Sequence, residues 1–172
     1  MGYAVRVTAD ETRWLTEEEQ LAWRAFLTAC QTLFTTVEAQ LLRDSGIPHG
    51  YYEILVRLSE APGRALRMTQ LAEASTSSKS RLSHAVARLE ERGWVKRADC
   101  PTDRRGQIAQ LTDEGFAALA AAAPGHVEQV RRSIIDQLTP DQIEQLREIS
   151  EKILASAEPL PRSAEGCTES GC

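Results

Sequence analysis

Two groups of side chains have the chemistry to grip a polyanion and read it. The first lies in SSKSRLSHAVARLEE, residues 77–91, where Ser78, Lys79, Ser80, Arg81, His84 and Arg88 fall within one short span. The second is CPTDRRG, residues 100–106, where Asp103, Arg104 and Arg105 sit between a Pro and a Gly. Hydroxyls and imidazole can both donate and accept, and arginine presents a planar fork of donors. Such a fork can take the O6/N7 edge of guanine in bidentate fashion, worth about 1–3 kcal/mol of discrimination. An arginine at a hairpin tip can enter a minor groove, drawn by its negative potential. Asp103, two residues before Arg105, can fix that guanidinium by a charge-assisted pair. Ser78, Lys79 and Thr69 are better suited to phosphate.

The charge distribution supports the same chemistry. The chain carries 20 Lys and Arg against 25 acids, a net charge of −5. Between Arg64 and Arg105, however, ten bases face five acids, so that segment is +5 and the remainder −10. Charge has to be read by region. For either group in isolation, a solvated face that carries charge would be the plain explanation. What weighs against it is their order, a basic amphipathic stretch followed about 15 residues later by a Pro/Asp/Gly turn.

Other chemistries find little support. The three histidines, His49, His84 and His126, are dispersed, with no HExxH pattern and no Cys/His pairs at zinc spacing. There is no glycine-rich phosphate loop and no GxSxG. No metal, no cofactor and no enzymatic activity are expected. No apolar run approaches the roughly 18–20 residues of a membrane span. The first residues, MGYAVRVTADETRW, lack the apolar core of a signal peptide, and Arg6 stands where myristoylation needs Ser or Thr. A cytoplasmic protein is expected, with Cys30, Cys100, Cys167 and Cys172 as free thiols. Cys100 lies near Arg97, Arg104 and Arg105, and positive neighbours favour the reactive thiolate. A redox switch at Cys100 is therefore an alternative mode of regulation, beside the simpler reading of a small turn residue. Cys30 falls on an apolar helical stripe.

These residues need elements to hold them. Thr16 and Glu19 form a capping box ahead of Leu21, Trp23, Phe26, Leu27, Cys30, Leu33, Phe34, Val37, Leu41 and Leu42, which recur at helical spacing. That helix of about 28 residues should end near Gly46 and Pro48, at ~42 Å longer than a domain of this size needs. PHGYYEILVRLSEAPG predicts a second helix, stopped by Pro62 and Gly63. RALRM is a candidate strand. MTQLAEAS predicts a short helix capped by Thr69, and the SSKSRL stretch a longer one capped by Ser77 or Ser78 and stopped by Gly93. WVKRAD and QIAQLT predict two strands around the CPTDRRG turn. Thr112 caps a further helix that Pro124 and Gly125 should bend or interrupt. Thr139, Pro140 and Gln142 start a last one, carrying Ile143, Leu146, Ile149 and Ile153. On this longer helix Leu82, Val86 and Leu89 share one face, while Ser77, Ser80, His84, Ala87 and Glu91 share the other, flanked by Arg81 and Arg88. Helix, strand, helix, helix, strand, turn, strand is the order of a winged helix-turn-helix.

The run LAEASTSSKSRLSHAVARLEERGWVKRADCPTDRRGQIAQLTDEG, residues 71–115, resembles the multiple-antibiotic-resistance regulator (MarR) family. LA, RLEERGWVKR, DRRG and LTDEG occur in the family's order and spacing, and a looser resemblance extends over about residues 16–157. It implies a dimeric transcription factor, in most cases a repressor, that binds a near-palindromic operator on double-stranded DNA. It also implies release from DNA by a small, often aromatic molecule bound between the dimer and DNA-binding parts. The resemblance carries the wing role to Asp103 and Arg105, and the recognition-helix role to Ser78, Ser80, Arg81 and His84. The expected fold is mainly α with a small β-hairpin wing. Residues 1–15 form an N-terminal arm and 16–158 a MarR-like domain. Within it, 16–45 and 113–158 are dimerisation helices and 48–112 the winged helix-turn-helix; 159–172 is a disordered tail. Apolar stripes at both ends exceed what one winged-helix core can cover, which points to a homodimer. Trp23, His49 and Tyr52, near the hinge, are the candidate lining of an effector site. A winged helix used as a protein-interaction module is the rival class.

Overall fold

The computed structural model describes residues 12–75, 78–100 and 103–156, with the side chains of residues 74, 100 and 103–106 outside that description. Residues 1–11 of the expected arm, Ser77, and the expected tail with Cys167 and Cys172 lie outside the described residues.

Helix α1, Glu17–Ser45, begins at the expected capping box. The Glu19 N–H donates to Thr16 Oγ1 at 3.2 Å, and the Thr16 N–H donates to Glu19 Oε2 at 2.8 Å. Three glutamates in the first turn suit the positive end of the helix dipole. Gly46 closes the helix with φ 65°, a left-handed conformation that glycine adopts without steric cost. The C-terminal part of α1 meets the chain's own core: Val37, Gln40 and Leu41 are buried and Leu33 packs against it, whereas Leu21, Trp23 and Phe26 are exposed.

Helix α2, His49–Glu60, has no side-chain cap of its own. Glu38 of α1 supplies one, its Oε2 accepting the His49 backbone N–H at 2.7 Å. A 3-10 turn, Pro62–Arg64, leads into strand β1, Ala65–Arg67, and then directly into helix α3, Met68–Ala74. Thr69 is therefore not the cap that the sequence suggests. Arg67 holds that position, and the Gln70 side chain reaches back to accept its N–H at 3.2 Å. Helix α4, Lys79–Glu91, is capped by Ser78, whose Oγ accepts the Arg81 N–H at 3.3 Å.

Strands β2, Val95–Cys100, and β3, Asp103–Leu111, form the hairpin, and the sheet order is β1-β3-β2, all antiparallel. The strands extend further into CPTDRRG than expected. Cys100 pairs with Asp103, so Arg104, Arg105 and Gly106 belong to strand β3 rather than to a seven-residue turn. Asp99 pairs with Gln107, which leaves residues 104–106 as an irregularity of β3 with no opposite residue in the register. Gly106 thus serves a bulge, a use that glycine in a strand often has.

Helix α5, Asp113–Ser133, starts at Thr112, whose Oγ1 accepts the Gly115 N–H at 3.0 Å. The interruption expected at Pro124 does not occur; α5 runs through it as one helix. Proline removes one donor from the ladder, and packing offsets that loss. Gly125 lies so close to α1 that a Cβ there would be 3.1 Å from Gln40 Nε2. After a 3-10 turn, Ile135–Gln137, helix α6, Pro140–Ser156, starts with Thr139 and Gln142 capping each other at 2.9 and 3.3 Å.

The core is aliphatic, as the scarcity of aromatic residues implies. Leu41, Ile47, Leu55, Leu58, Leu71, Val86, Leu89 and Ala109 are almost wholly buried. Each buried Leu, Ile or Val contributes about 1.5–3 kcal/mol. They come from α1, the α1–α2 connection (Ile47), α2, α3, α4 and β3, so this core holds α4 and the hairpin in place. No residue of α6 is buried within the chain.

Candidate nucleic-acid interface

The burial pattern of α4 separates its two faces. Leu82, Val86 and Leu89 are buried, while Lys79, Ser80, Arg81, His84 and Arg88 are exposed. Among the described residues, the side chains of Lys79, Arg81 and His84 make no ion pair or hydrogen bond with the chain itself. Their donors point to solvent. Arg88 differs: its Nη1 lies 2.8 Å from Glu91 Oε2. The two are three apart on one helix face, where such pairs form. Ser78 is also partly committed, through its capping bond. Thr69, on the first turn of α3, is exposed.

The hairpin follows α4 in the chain, and β2 packs alongside it through Arg97, which reaches Glu90 and Ser83. The backbone of Asp103, Arg104 and Arg105 is placed in β3, but the expected Asp103–Arg105 pair lies outside the described side chains, as does the thiol of Cys100.

Several bases counted in the positive segment are engaged by contacts within the chain. Arg97 Nη2 donates to the Ser83 carbonyl at 2.8 Å, and its Nε lies 3.1 Å from Glu90 Oε2. Arg92 donates to the Gly46 carbonyl at 3.3 Å and stacks over Trp94, 4.9 Å from the ring centre. Arg64 pairs with Asp113 at 3.1 Å and lies 4.0 Å above the Phe116 ring. A charge count cannot separate these from the outward bases; only the contacts do. Gly115 also escaped the sequence reading, although a glycine three residues after a cap with no space for a side chain is a signal of tight packing.

Of the proposed effector residues, the structure brings two together and leaves one out. His49 lies 6.1 Å from Phe34 and 6.1 Å from His126, and His126 lies 4.4 Å from Tyr52, ring centre to ring centre. This cluster sits where α1, α2 and α5 meet. Burial, and then the nearby His49, lower the pKa of His126, and burial raises that of Tyr52. His126 Nδ1 is buried and has no partner among the described residues. Trp23 packs against Phe26 instead. Eleven residues separate it from Phe34, about 16 Å along a helix. A groove of about 790 Å³ runs along α1 to the end of α5, lined by Leu21, Ala25, Thr28, Thr32 and Ser133 among others.

Among the described residues, no three His, Cys, Asp or Glu side chains converge to hold a metal, and no helix is long and apolar enough to cross a membrane.

A model described as the MarR family matches residues 45–106. Sco3205, a MarR family transcriptional regulator from Streptomyces coelicolor whose crystal structure is in complex with DNA, superposes with a TM-score of 0.83 at 52% identity, covering 86% of this chain and 96% of that one. AbsC, a MarR family transcriptional regulator from the same organism, does so with a TM-score of 0.80 at 43% identity, covering 84% and 97%. The transcriptional regulator HosA of Escherichia coli O111:H- is 38% identical over 73 residues, 42% of this chain and 53% of HosA. The chain thus spans about half the length of that curated relative.

Proposed function

The chain belongs to the MarR family, and from that premise we propose that it is a sequence-specific DNA-binding transcriptional regulator, a repressor that acts as a homodimer in the cytoplasm. The observation that carries this reading is the outward face of α4. Lys79, Ser80, Arg81 and His84 stand exposed and, among the described residues, without internal side-chain partners, on a helix held from behind by Leu82, Val86 and Leu89. A helix of this size fits the major groove. Ser80, Arg81 and His84 are assigned to base edges, and Thr69, Ser78 and Lys79 to phosphates. Arg88 has a minor part, since Glu91 already holds it. Asp103, Arg104 and Arg105 belong to the wing and the adjacent minor groove.

Residues 16–45 and 113–158 are assigned to the dimer, and 48–112 to reading DNA. In favour of that division, α6 buries nothing in its own chain, and Leu21, Phe34, Ile149 and Ile153 are exposed on α1 and α6. A two-fold dimer presents two recognition helices to a near-palindromic site. Release by a small aromatic molecule is assigned to the meeting point of α1, α2 and α5, where Phe34, His49, Tyr52 and His126 offer stacking surfaces.

Selection of bound duplexes from a random pool, followed by affinity measurement across a salt series, tests the reading. A recurring inverted-repeat site is expected. The log affinity should fall with log salt by about 0.9 per neutralised phosphate. Failure to enrich any duplex, or a flat salt dependence, would leave the winged helix as a protein-interaction module.

A further inference from the structure

Arg97 lies in the most basic part of the chain, and charge count alone would send it to the phosphate backbone. Its side chain is committed elsewhere. The Arg97 guanidinium donates to the Ser83 carbonyl at 2.8 Å and lies 3.1 Å from Glu90 Oε2. The other oxygen of the same carboxylate accepts the Arg97 backbone N–H at 3.0 Å. Both side chains are partly buried, at 24% and 32% exposure. Glu90 therefore holds both the side chain and the main chain of β2, and Arg97 spans two turns of α4.

The position of this contact in the sheet matters. Strand β1 pairs with β3 only at Ile108, Ala109 and Gln110. Arg97 pairs with Ala109, and Ala98 with Ile108. Beyond that row the hairpin is a two-stranded ribbon, which has little stability of its own. Cys100, three residues on, is about 10 Å further along the strand. A small rotation at Arg97 becomes a larger displacement at residues 103–106.

We propose that Arg97 and Glu90 form a clamp that sets the angle of the β2–β3 hairpin to α4, so that Arg97 is a positioning residue for the wing and not a DNA contact. This rests on the DNA-binding reading above. The clamp depends on the shape of the guanidinium. Its Nη2 donates to a carbonyl while its Nε, without a hydrogen-bond partner among the described residues, stands in ion-pair contact with a carboxylate, an arrangement that the single ammonium of lysine does not reproduce.

The test uses the full-length protein, the duplex enriched by selection, and Arg97→Lys, Glu90→Gln and Arg105→Ala. Arg97→Lys keeps the charge, yet should weaken binding about tenfold, as expected for coupled sites. In the Arg105→Ala background the same change should cost almost nothing, because the wing contact it positions is already gone. Near wild-type binding by Arg97→Lys, or full additivity with Arg105→Ala, would overturn the proposal in favour of a phosphate contact or a general loss of fold. Amide hydrogen exchange on the free protein separates the two levels of inference. Both clamp variants should lose protection at β2 and β3 while α2 keeps its own. Unchanged hairpin protection would overturn the clamp even if the wild type binds DNA. Loosened hairpins in a protein that enriches no duplex would sustain the clamp and remove the DNA-binding reading.

Discussion

The carbonyl oxygen of Trp94 occupies the space that a side chain on Gly115 would need. A Cβ at Gly115 would lie 2.1 Å from that oxygen and 2.8 Å from its carbon. The same oxygen accepts the Thr112 N–H at 3.0 Å, while the Thr112 hydroxyl donates to the Gly93 carbonyl at 2.7 Å. The start of α5 is thereby fastened to the foot of the hairpin.

Gly115→Ala should therefore be costly. The obstacle is backbone, which cannot swing aside, so α5 must shift away from Trp94. Overpacking of this kind costs about 1–3 kcal/mol, and a value toward the upper end is expected in urea unfolding. Asp113→Ala, at an exposed neighbouring position, should cost much less. Equal stability of Gly115→Ala and wild type would show that α5 is not seated as described.

Arg81 and Arg88 should differ in their effect on binding, although both are exposed arginines on α4. Arg81 has no internal partner among the described residues, whereas Glu91 holds Arg88 at 2.8 Å. Arg81→Ala should relax base preference at one position of the half-site by about ten- to hundredfold. Arg88→Ala should change affinity slightly and leave the preference intact. Competition binding against single-base variants of the selected duplex reads both effects. A larger loss of preference from Arg88→Ala would reverse the assignment.

The histidine cluster predicts a pH dependence of stability. Burial, and then His49, hold His126 below its ordinary pKa, so the folded chain resists a proton there that the unfolded chain accepts. Above about pH 6.5 both states leave His126 neutral and its contribution is constant. As pH falls through that value the unfolded state gains protons first, and stability declines until the folded pKa is also passed. Glu38 and Asp44 of α1, and His49 and Tyr52 of α2, are the titratable groups around it, and none of the four is altered in His126→Gln. The melting temperature of wild type should drop between pH 7 and 5.5 more than that of His126→Gln. Parallel curves would mean that His126 is solvated.

Much of this fold was legible from the sequence, because its signals are local. Thr16 with Glu19 and Thr139 with Gln142 satisfy backbone donors within one turn of helix, and the alternation of faces along α4 follows from helical spacing. The errors share a different cause. Pro124 predicts a bend or an interruption because proline is a local breaker, and α5 runs through it uninterrupted; the contact between Gly125 and Gln40 of α1 is a tertiary matter. Thr69 resembled a cap, yet β1 runs into α3 one residue earlier. Pro101 and Gly106 suggest one wide turn, whereas Cys100 pairs with Asp103 and residues 103–106 belong to β3. Arg97 counts toward the basic segment, and no local signal shows that Glu90 and Ser83 hold it, because those partners come from another element. Trp23, like His49, reads from the sequence as a residue near the hinge between the two parts, but the length of α1 keeps it away from Phe34.

The exposed apolar residues of α6 lead to the last prediction. Ile149 and Ile153 are 53% and 46% exposed on a helix that buries nothing in its own chain. They lie four apart, on one face. On α1, Leu21, Phe26 and Phe34 are likewise exposed, at 61%, 43% and 60%. A monomer would present both surfaces to water, and apolar area gains about 25 cal/mol per Å² when covered. In the homodimer reading α1 and α6 cover each other across the two-fold axis. Light scattering should then give twice the chain mass of 19.0 kDa for wild type. Ile149→Glu with Ile153→Glu should return it to the single-chain mass, because two carboxylates cannot enter an apolar interface without a large desolvation cost. The double variant should keep the far-ultraviolet signal of the winged helix, since neither residue belongs to the core around Leu55, Leu82 and Leu89. It should also lose most of its affinity for an inverted-repeat duplex while retaining weak binding to a half-site. A wild-type protein of single-chain mass would rule out the dimer, and a double variant that remains dimeric would move the interface away from α6.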